Sequence, residues 1–229
     1  MKKIAIILFL LSILFTACNK EEDNLNFDLN LDTIEGKWVI NSPTSYNFIE
    51  FTKDGKFFIS HKYANNPNYL KNYSNYEIIN GYEIEIENLG KLSISSLTQS
   101  RIYFILDLNR NTPVSLNAIK VAKISQSEKT KLISKTWKIE SINGLKNEIG
   151  FFIFSDYGTF YQQRFSSGFK FGKWKWCNIE ETKITISTDK TSLDCNNKQI
   201  IENIILTDDT FSGNDKRNWQ PEFLIMKKE

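Results

Sequence analysis

Residue types that could carry out acid–base or metal chemistry are sparse in this sequence. His61 is the one histidine in 229 residues, which excludes sites that need a second histidine; we interpret it as a strand or loop residue. Glu83, Glu85 and Glu87 could supply the paired carboxylates of a glycoside hydrolase. However, they alternate strictly with apolar residues, which is typical of the solvent face of a strand. No glycine-rich phosphate loop is found in the sequence. We therefore expect no enzymatic activity, no metal and no cofactor.

A second group of residues suits the binding of a polar ligand. Tyrosines and asparagines are interleaved between His61 and Tyr76, and such side chains can stack on sugar rings and bond to hydroxyls. The alternative is a long hairpin loop whose tyrosines cover the mouth of a barrel. The candidate ligand-binding residues are Tyr63, Tyr69, Tyr73, Tyr76 and, in a separate loop, Trp219.

Cys18 is a candidate for lipid attachment. Lys2 and Lys3 precede an apolar run over residues 4–15, which is typical of a secretory signal and shorter than the roughly 20 residues of a spanning helix. The segment Leu14-Phe15-Thr16-Ala17-Cys18 resembles a bacterial lipobox, in which the cysteine is diacylated and becomes the new N-terminus. The alternative is an ordinary signal peptide with an incidental cysteine.

The lipobox resemblance implies where the protein is located. Residues 1–17 are then a signal peptide, and residues 18–32 are a lipidated flexible tether because they lack a periodic apolar pattern. The segment Asn19-Lys20-Glu21-Glu22-Asp23 resembles a surface-export signal of some Gram-negative phyla. We expect an outer-membrane lipoprotein on the periplasmic leaflet or the cell surface, with the membrane as its partner through the lipid.

Charge and cysteine content narrow the alternatives further. Removal of residues 1–17 takes two of the 29 basic residues and none of the 27 acidic ones, so the mature chain is formally neutral. A nucleic-acid partner is therefore not expected, because phosphate binding needs a basic surplus or stripe. In an oxidising compartment Cys177 and Cys195 have only each other as partners, so a disulfide is the simplest outcome; two buried free thiols are the alternative.

Short alternating runs bounded by Asn, Gly and Asp predict an all-β fold. In the clearest run, Tyr82, Ile84 and Ile86 are predicted to point to one face and the intervening glutamates to the other. Asn80-Gly81 before it predicts a tight hairpin turn, in which both central residues need positive φ.

The sequence also contains an internal repeat of two copies. Four pairs of segments recur in the same order: residues 34–40 with 133–139, 51–57 with 154–160, 97–102 with 206–211, and 119–121 with 223–225. A helix-capping pattern over residues 125–128 lies between the copies. We therefore predict barrel 1 over residues 33–125 and barrel 2 over residues 126–229, each long enough for roughly eight short strands.

Gly36-Lys37-Trp38, the Asp54-Gly55 hairpin and the following meander resemble the lipocalin-like domains of secreted bacterial lipoproteins. The resemblance covers residues 33–229 as two copies and implies two tandem small antiparallel meander β-barrels. In the second copy Lys135 stands in place of the glycine, so barrel closure there does not follow from the motif, and no binding residue is transferred.

Trp38 and Trp137 occupy the same place in each copy. In the family that the sequence resembles, this indole closes the base of the barrel, so we interpret both residues as barrel-base core; a ligand floor is the alternative. Two functional hypotheses follow. One is a non-enzymatic tethered binding module that holds a small apolar or amphipathic ligand in a barrel, and the other is a surface structural or interaction lipoprotein with filled barrels that contacts a protein or glycan through loops.

Overall fold

The computed structural model describes residues 27–61, 73–109, 111–146, 150–164, 168–188, 193–196, 199–217 and 220–229. These residues form two closed antiparallel β-barrels of eight strands each, in which consecutive strands are hydrogen-bonded neighbours. The predicted all-β fold with two tandem meander barrels is therefore confirmed. No helix within the described ranges has the length and apolar character needed to cross a membrane.

Barrel 1 follows a short helix, α1 (Leu31–Ile34), and closes where its last strand pairs with its first. Its inner and outer faces follow from the alternation along each strand, as in the strand from Arg101 to Leu108, where every second residue is buried. Its strands are β1 (Gly36–Ile40), β2 (Tyr46–Phe51), β3 (Lys56–His61), β4 (Tyr73–Ile78), β5 (Glu83–Ile86), β6 (Gly90–Leu97), β7 (Arg101–Leu108) and β8 (Val114–Lys120).

Barrel 2 repeats this order after a second helix, α2 (Glu128–Ile133), and closes even though its first strand lacks the glycine of the first copy. Its strands are β9 (Thr136–Ile142), β10 (Gly150–Phe154), β11 (Thr159–Arg164), β12 (Gly168–Trp176), β13 (Ile184–Ser187), β14 (Ile200–Leu206), β15 (Thr210–Asp215) and β16 (Glu222–Lys228).

Three of the four predicted repeat matches coincide with equivalent positions in the two barrels, and the fourth is wrong. Trp38 lies opposite Lys120 across β1 and β8, and Trp137 lies opposite Lys228 across β9 and β16. Lys120 therefore corresponds to Lys228 and not to Leu224. The sequence match was misplaced by four residues because a short apolar triplet fits an alternating strand at several registers that share one face.

Each helix accepts the same hydrogen bond from the tryptophan of its barrel. The indole Nε1–H of Trp38 donates to the carbonyl of Ile34 at 2.9 Å, and that of Trp137 donates to the carbonyl of Ile133 at 2.8 Å. Both indoles are fully buried. A carbonyl at the end of each helix thus finds a donor, and the tryptophan fills the end of its barrel without burying an unpaired N–H.

The segment before α1 differs from the predicted flexible tether over residues 18–32. Leu29 is buried in the core of barrel 1 and Phe27 packs against that core. The Asn30 side chain caps α1 by accepting from the backbone N–H groups of Asp32 and Thr33. Phe27 and Leu29 are therefore part of the folded domain, whereas residues 18–26 lie outside the described residues.

One predicted turn and one predicted helix cap also have a different basis from the expected one. Neither Asn80 nor Gly81 has a positive φ; instead Asn80 Oδ1 accepts from the backbone N–H groups of Tyr82 and Glu83 at 3.0 and 2.9 Å. Tyr82, predicted to face the interior, lies before β5 and is exposed. The helix cap between the barrels is Ser127, whose hydroxyl accepts from a backbone N–H of α2.

Equivalent outer faces of the two barrels pack together in what we call the barrel joint, formed by β1–β4 and β10–β12. Phe48 contacts Phe171 at a ring distance of 6.1 Å, and the equivalent residues Phe151 and Tyr73 contact each other at 5.9 Å. This reciprocity is the signature of a two-fold interface between like surfaces. The apolar part of the joint consists of Phe48, Phe58, Tyr73, Phe151, Ile153, Tyr161 and Phe171.

A buried ion pair lies in the joint. Glu50 is fully buried and accepts a hydrogen bond from the Thr159 hydroxyl, which in turn accepts from Lys37 Nζ at 2.9 Å. Burial raises the pKa of Glu50 above its usual value, against the opposing charge of Lys37. Burial likewise lowers the pKa of Lys37, against the opposing charge of Glu50. Two charges taken out of water stabilise the joint only while both partners are present.

The linker between the barrels also stabilises the joint, at its edge. Lys123 Nζ donates to Glu35 of barrel 1 at 2.9 Å and forms an ion pair with Asp156 of barrel 2. The backbone N–H of Ile124 donates to the Asp156 carbonyl at 2.8 Å. The linker therefore bonds to both barrels, and it restricts their relative movement.

We predict that Lys37→Met lowers the free energy of unfolding by about 3 kcal/mol, because Glu50 is left buried without its cation. Adding Glu50→Leu to this variant is expected to restore most of the loss, since the uncompensated charge is removed. Urea unfolding measures both variants, with Lys138→Met as the control at an exposed lysine of β9. A double variant as unstable as Lys37→Met would contradict this interpretation.

Candidate binding cleft

Side chains fill the interior of barrel 1. The inward residues Trp38, Phe51, Phe57 and Phe104 are each at most 1% exposed and belong to one continuous core cluster. Eight short strands enclose a volume that their own side chains can occupy. The lumen that the small-ligand hypothesis requires is therefore taken up by the protein itself.

Aromatic rings fill barrel 2 in the same manner. Phe154 contacts Phe160, Trp174 and Phe211 at ring distances of 5.3, 5.6 and 6.0 Å, and Phe211 contacts Trp137 at 5.9 Å. The indole N–H of Trp174 donates to the Ser155 carbonyl at 2.9 Å. These contacts make the lower half of barrel 2 a packed aromatic core.

A cluster of charged side chains occupies the end of barrel 2 away from Trp137. Arg217 binds Asp215 through Nε and Nη2 at 2.8 and 2.6 Å, and Arg164 Nη1 donates to Glu222 at 3.0 Å. Both guanidinium groups stand over the Phe152 ring, at 5.5 and 5.3 Å. Among the described residues, Arg164 Nε and Nη2 have no hydrogen-bond acceptor. The end of barrel 2 away from Trp137 is thus filled by charged side chains and is not an apolar cavity.

Asp215 is held ionised by its arginine neighbours. Burial alone would raise the pKa of this carboxyl, but the charge and hydrogen bonds of Arg217, together with the charge of Arg164, outweigh burial and lower the pKa below its usual value. The cluster therefore stabilises the fold above the ordinary pKa of an aspartate, and this contribution is lost as the pH falls.

The residues considered for catalysis all lie in barrel 1. The His61 ring packs against Tyr46 at 4.4 Å, and burial lowers the pKa of this histidine. Glu83 accepts hydrogen bonds from Asn80 and Lys91, while Glu85 and Glu87 lie on the exposed face of the barrel wall. The described part of the chain holds no group of three His, Cys, Asp or Glu residues that could bind a metal ion.

The structure separates the two predicted ligand-binding tyrosines that it describes. Tyr76 points into barrel 1, where its ring meets Phe51 edge-on at 5.0 Å and its hydroxyl donates to the Thr52 carbonyl at 2.8 Å. Tyr73, three residues earlier on β4, points outward into the barrel joint. Tyr76 is therefore a core residue of barrel 1. Tyr63, Tyr69, Trp219 and Cys18 lie outside the described residues.

Cys177 and Cys195 form a disulfide, with their Cα atoms 5.4 Å apart. The bond fastens the end of β12 to the segment before β14. Closing a loop of this kind typically contributes about 3 kcal/mol, chiefly by restricting the unfolded chain.

A cavity of about 610 Å³ opens between the two barrels, and we call it the inter-barrel cleft. It was not predicted from the sequence, because it arises from the way the barrels pack. Barrel 1 contributes Tyr73, Ser74, Asn75, Glu87 and Asn88, and barrel 2 contributes Tyr161, Gln163, Arg164, Gly168 and Phe169.

Two tyrosines, one from each barrel, meet in the wall of the cleft. The rings of Tyr73 and Tyr161 stack at 4.8 Å with an interplanar angle of 26°. Burial raises the pKa of each phenol to about 12, so both hydroxyls remain protonated at neutral pH. Neither hydroxyl is hydrogen-bonded to another described residue, which leaves two donors available to a ligand.

Phe169 and Gln163 form the open side of the cleft. They lie opposite each other across β11 and β12, and Phe169 is 53% exposed. On the barrel 1 side, Asn75 is already engaged, since its amide donates to Glu87 at 2.6 Å and its oxygen accepts from Lys56 at 3.1 Å. The cleft thus combines an exposed ring with both free and engaged polar groups.

No protein-family model matches this sequence, and no curated protein is similar to it. The function therefore has to be argued from the geometry of the barrels and of the cleft.

We predict that Asp215→Asn destabilises the protein at pH 7 and that its deficit relative to the wild type shrinks as the pH falls below about 4. The reason is that below the ordinary pKa of an aspartate the unfolded wild-type chain binds a proton at Asp215, while the folded state still holds this carboxyl ionised, so the stabilisation declines with pH. The two proteins are compared by urea unfolding across this pH range, with Asp208→Asn as the control at an exposed turn. A deficit that is constant with pH would show that the ionised state of Asp215 is unimportant.

Proposed function

We propose that this protein is an exported, lipid-anchored, non-enzymatic binding protein that holds its partner in the inter-barrel cleft and not inside a barrel. The observation that carries the proposal is the contrast between the two locations. The barrels are filled by residues such as Phe104 and Phe154, whereas the cleft is an open cavity of about 610 Å³ lined from both sides. This volume lies in the range of ligand sites, about 300–1,000 Å³.

The rigidity of the cleft supports a binding role. Its two walls belong to different barrels, but Lys37 and Glu50 of barrel 1 both form hydrogen bonds with Thr159 of barrel 2, and Lys123 of the linker bonds to both barrels. A site that is already formed needs little ordering when its partner arrives, so more of the contact energy goes into affinity.

The anchoring part of the proposal rests on the sequence. The signal segment and the lipobox-like residues before Cys18 support lipid attachment, and the resemblance to lipocalin-like domains of secreted lipoproteins supports the same location. With Phe27 already packed on barrel 1, at most nine residues, 18–26, separate the lipid from the folded part. At about 3.4 Å per residue, these residues keep barrel 1 within about 30 Å of the membrane surface.

We predict that Cys18→Ser abolishes incorporation of radiolabelled palmitate and moves the protein from the membrane fraction to the soluble fraction. The serine cannot carry the thioether-linked lipid that supplies the anchor. Fractionation with immunoblotting measures the change, and Cys177→Ser with Cys195→Ser is the control that should stay in the membrane fraction. Continued incorporation of the label by Cys18→Ser would refute the lipobox assignment.

We also predict that the wild-type barrels do not bind benzene saturably, because no lumen is free. Leu106→Ala is the positive control: it opens an apolar cavity in barrel 1 at a cost of about 2–5 kcal/mol and should bind benzene, as dry apolar cavities of this kind do. Calorimetric titration compares the two proteins. Saturable binding by the wild type, as tight as by the variant, would return the function to the lumen and overturn the proposal.

A further inference from the structure

We infer that the inter-barrel cleft binds an uncharged saccharide, which stacks on Phe169 and forms hydrogen bonds with Gln163 and the hydroxyls of Tyr73 and Tyr161. This inference rests on the proposed function and deepens it by naming the class of ligand. It follows from three properties of the cleft: an exposed ring, neutral polar groups without a partner among the described residues, and a lining with no formal net charge.

The exposed ring provides an apolar surface of the size that a sugar covers. Phe169 keeps 53% of its surface open, and Tyr161 lies diagonally from it across β11 and β12 on the same outer face. A sugar ring has an apolar face of C–H groups bounded by hydroxyls, so it matches an aromatic ring with polar groups around it.

The polar groups around this ring are neutral and unoccupied. Within the described part of the chain, no hydrogen bond occupies the side-chain amides of Gln163 and Asn88 or the hydroxyls of Tyr73 and Tyr161. An amide both donates and accepts, and a phenol does the same, so this set can follow the mixed donor and acceptor pattern of sugar hydroxyls. An apolar ligand would leave these groups without partners, at a cost in free energy.

The charges of the cleft do not favour an ionic ligand. Its lining contains one acid, Glu87, and one base, Arg164. Glu87 accepts from Asn75 at 2.6 Å, and Arg164 binds Glu222 at 3.0 Å. With one acid and one base, the lining carries no formal net charge that would select an anion or a cation.

The full chain with Cys18→Ser, purified in solution, is tested against an array of neutral and acidic oligosaccharides, and the neutral glycans that bind are titrated by calorimetry. We expect binding of neutral glycans with an affinity that does not change between low and high salt, since an uncharged ligand forms no ion pair with the protein. Phe169→Ala is expected to weaken binding about tenfold or more, and Gln163→Ala to weaken it several-fold. The matched control is Tyr103→Ala, at an aromatic residue of β7 that is 45% exposed and lies outside the cleft; it should bind as the wild type does.

The alternative outcomes distinguish the class of ligand from the location of the binding site. Binding of acidic glycans alone, salt-dependent binding, or equal binding by Phe169→Ala and the wild type would overturn the saccharide assignment. Absence of any glycan binding would overturn it as well, while leaving the cleft open to a protein partner. The benzene titration tests the location of the site independently, so saturable binding by the wild type there would remove the proposed function itself.

Discussion

The packing of one barrel against the other is the constraint on which the rest of this structure depends. Outer faces of β-barrels normally meet water, yet here Glu50, Phe58 and Thr159 point outward and are fully buried. They are covered because the same face of each repeat has become apolar and complementary to the other. The inter-barrel cleft is the remaining gap beside this contact, so its shape and its lining are set by the joint and not by either barrel alone.

Much of the fold could be predicted from the sequence, because alternation and repetition are local signals. The pairing of Phe51-to-Phe57 with Phe154-to-Phe160 identified equivalent hairpins, in which Gly55 and Gly158 adopt the same positive φ, 76° and 78°. The ordered segment before α1 was missed, although Leu25, Phe27, Leu29 and Leu31 alternate with polar residues in a strand-like pattern. A search for helical periodicity does not detect such a pattern.

The cleft could not be predicted, because it is a contact between residues far apart in the chain. Two features of the sequence nevertheless indicate that part of each outer barrel face is buried. Phe57-Phe58-Ile59 and the run from Phe151 to Phe154 are continuously apolar, which indicates strands that are buried on both faces. The tyrosine-rich segment was interpreted as one site, but Tyr73 and Tyr76 are an odd number of positions apart on β4 and therefore point to opposite faces of the barrel wall.

The reciprocal contacts across the joint have a consequence for how the two walls of the cleft come together. Two separate chains with such faces would associate only as far as their concentration allowed. Here the linker turns that encounter into an intramolecular one, which always happens at a high effective concentration. Both walls of the cleft are consequently made in equal number by every translated copy, and a cell that produces only a few molecules of this protein still produces complete sites.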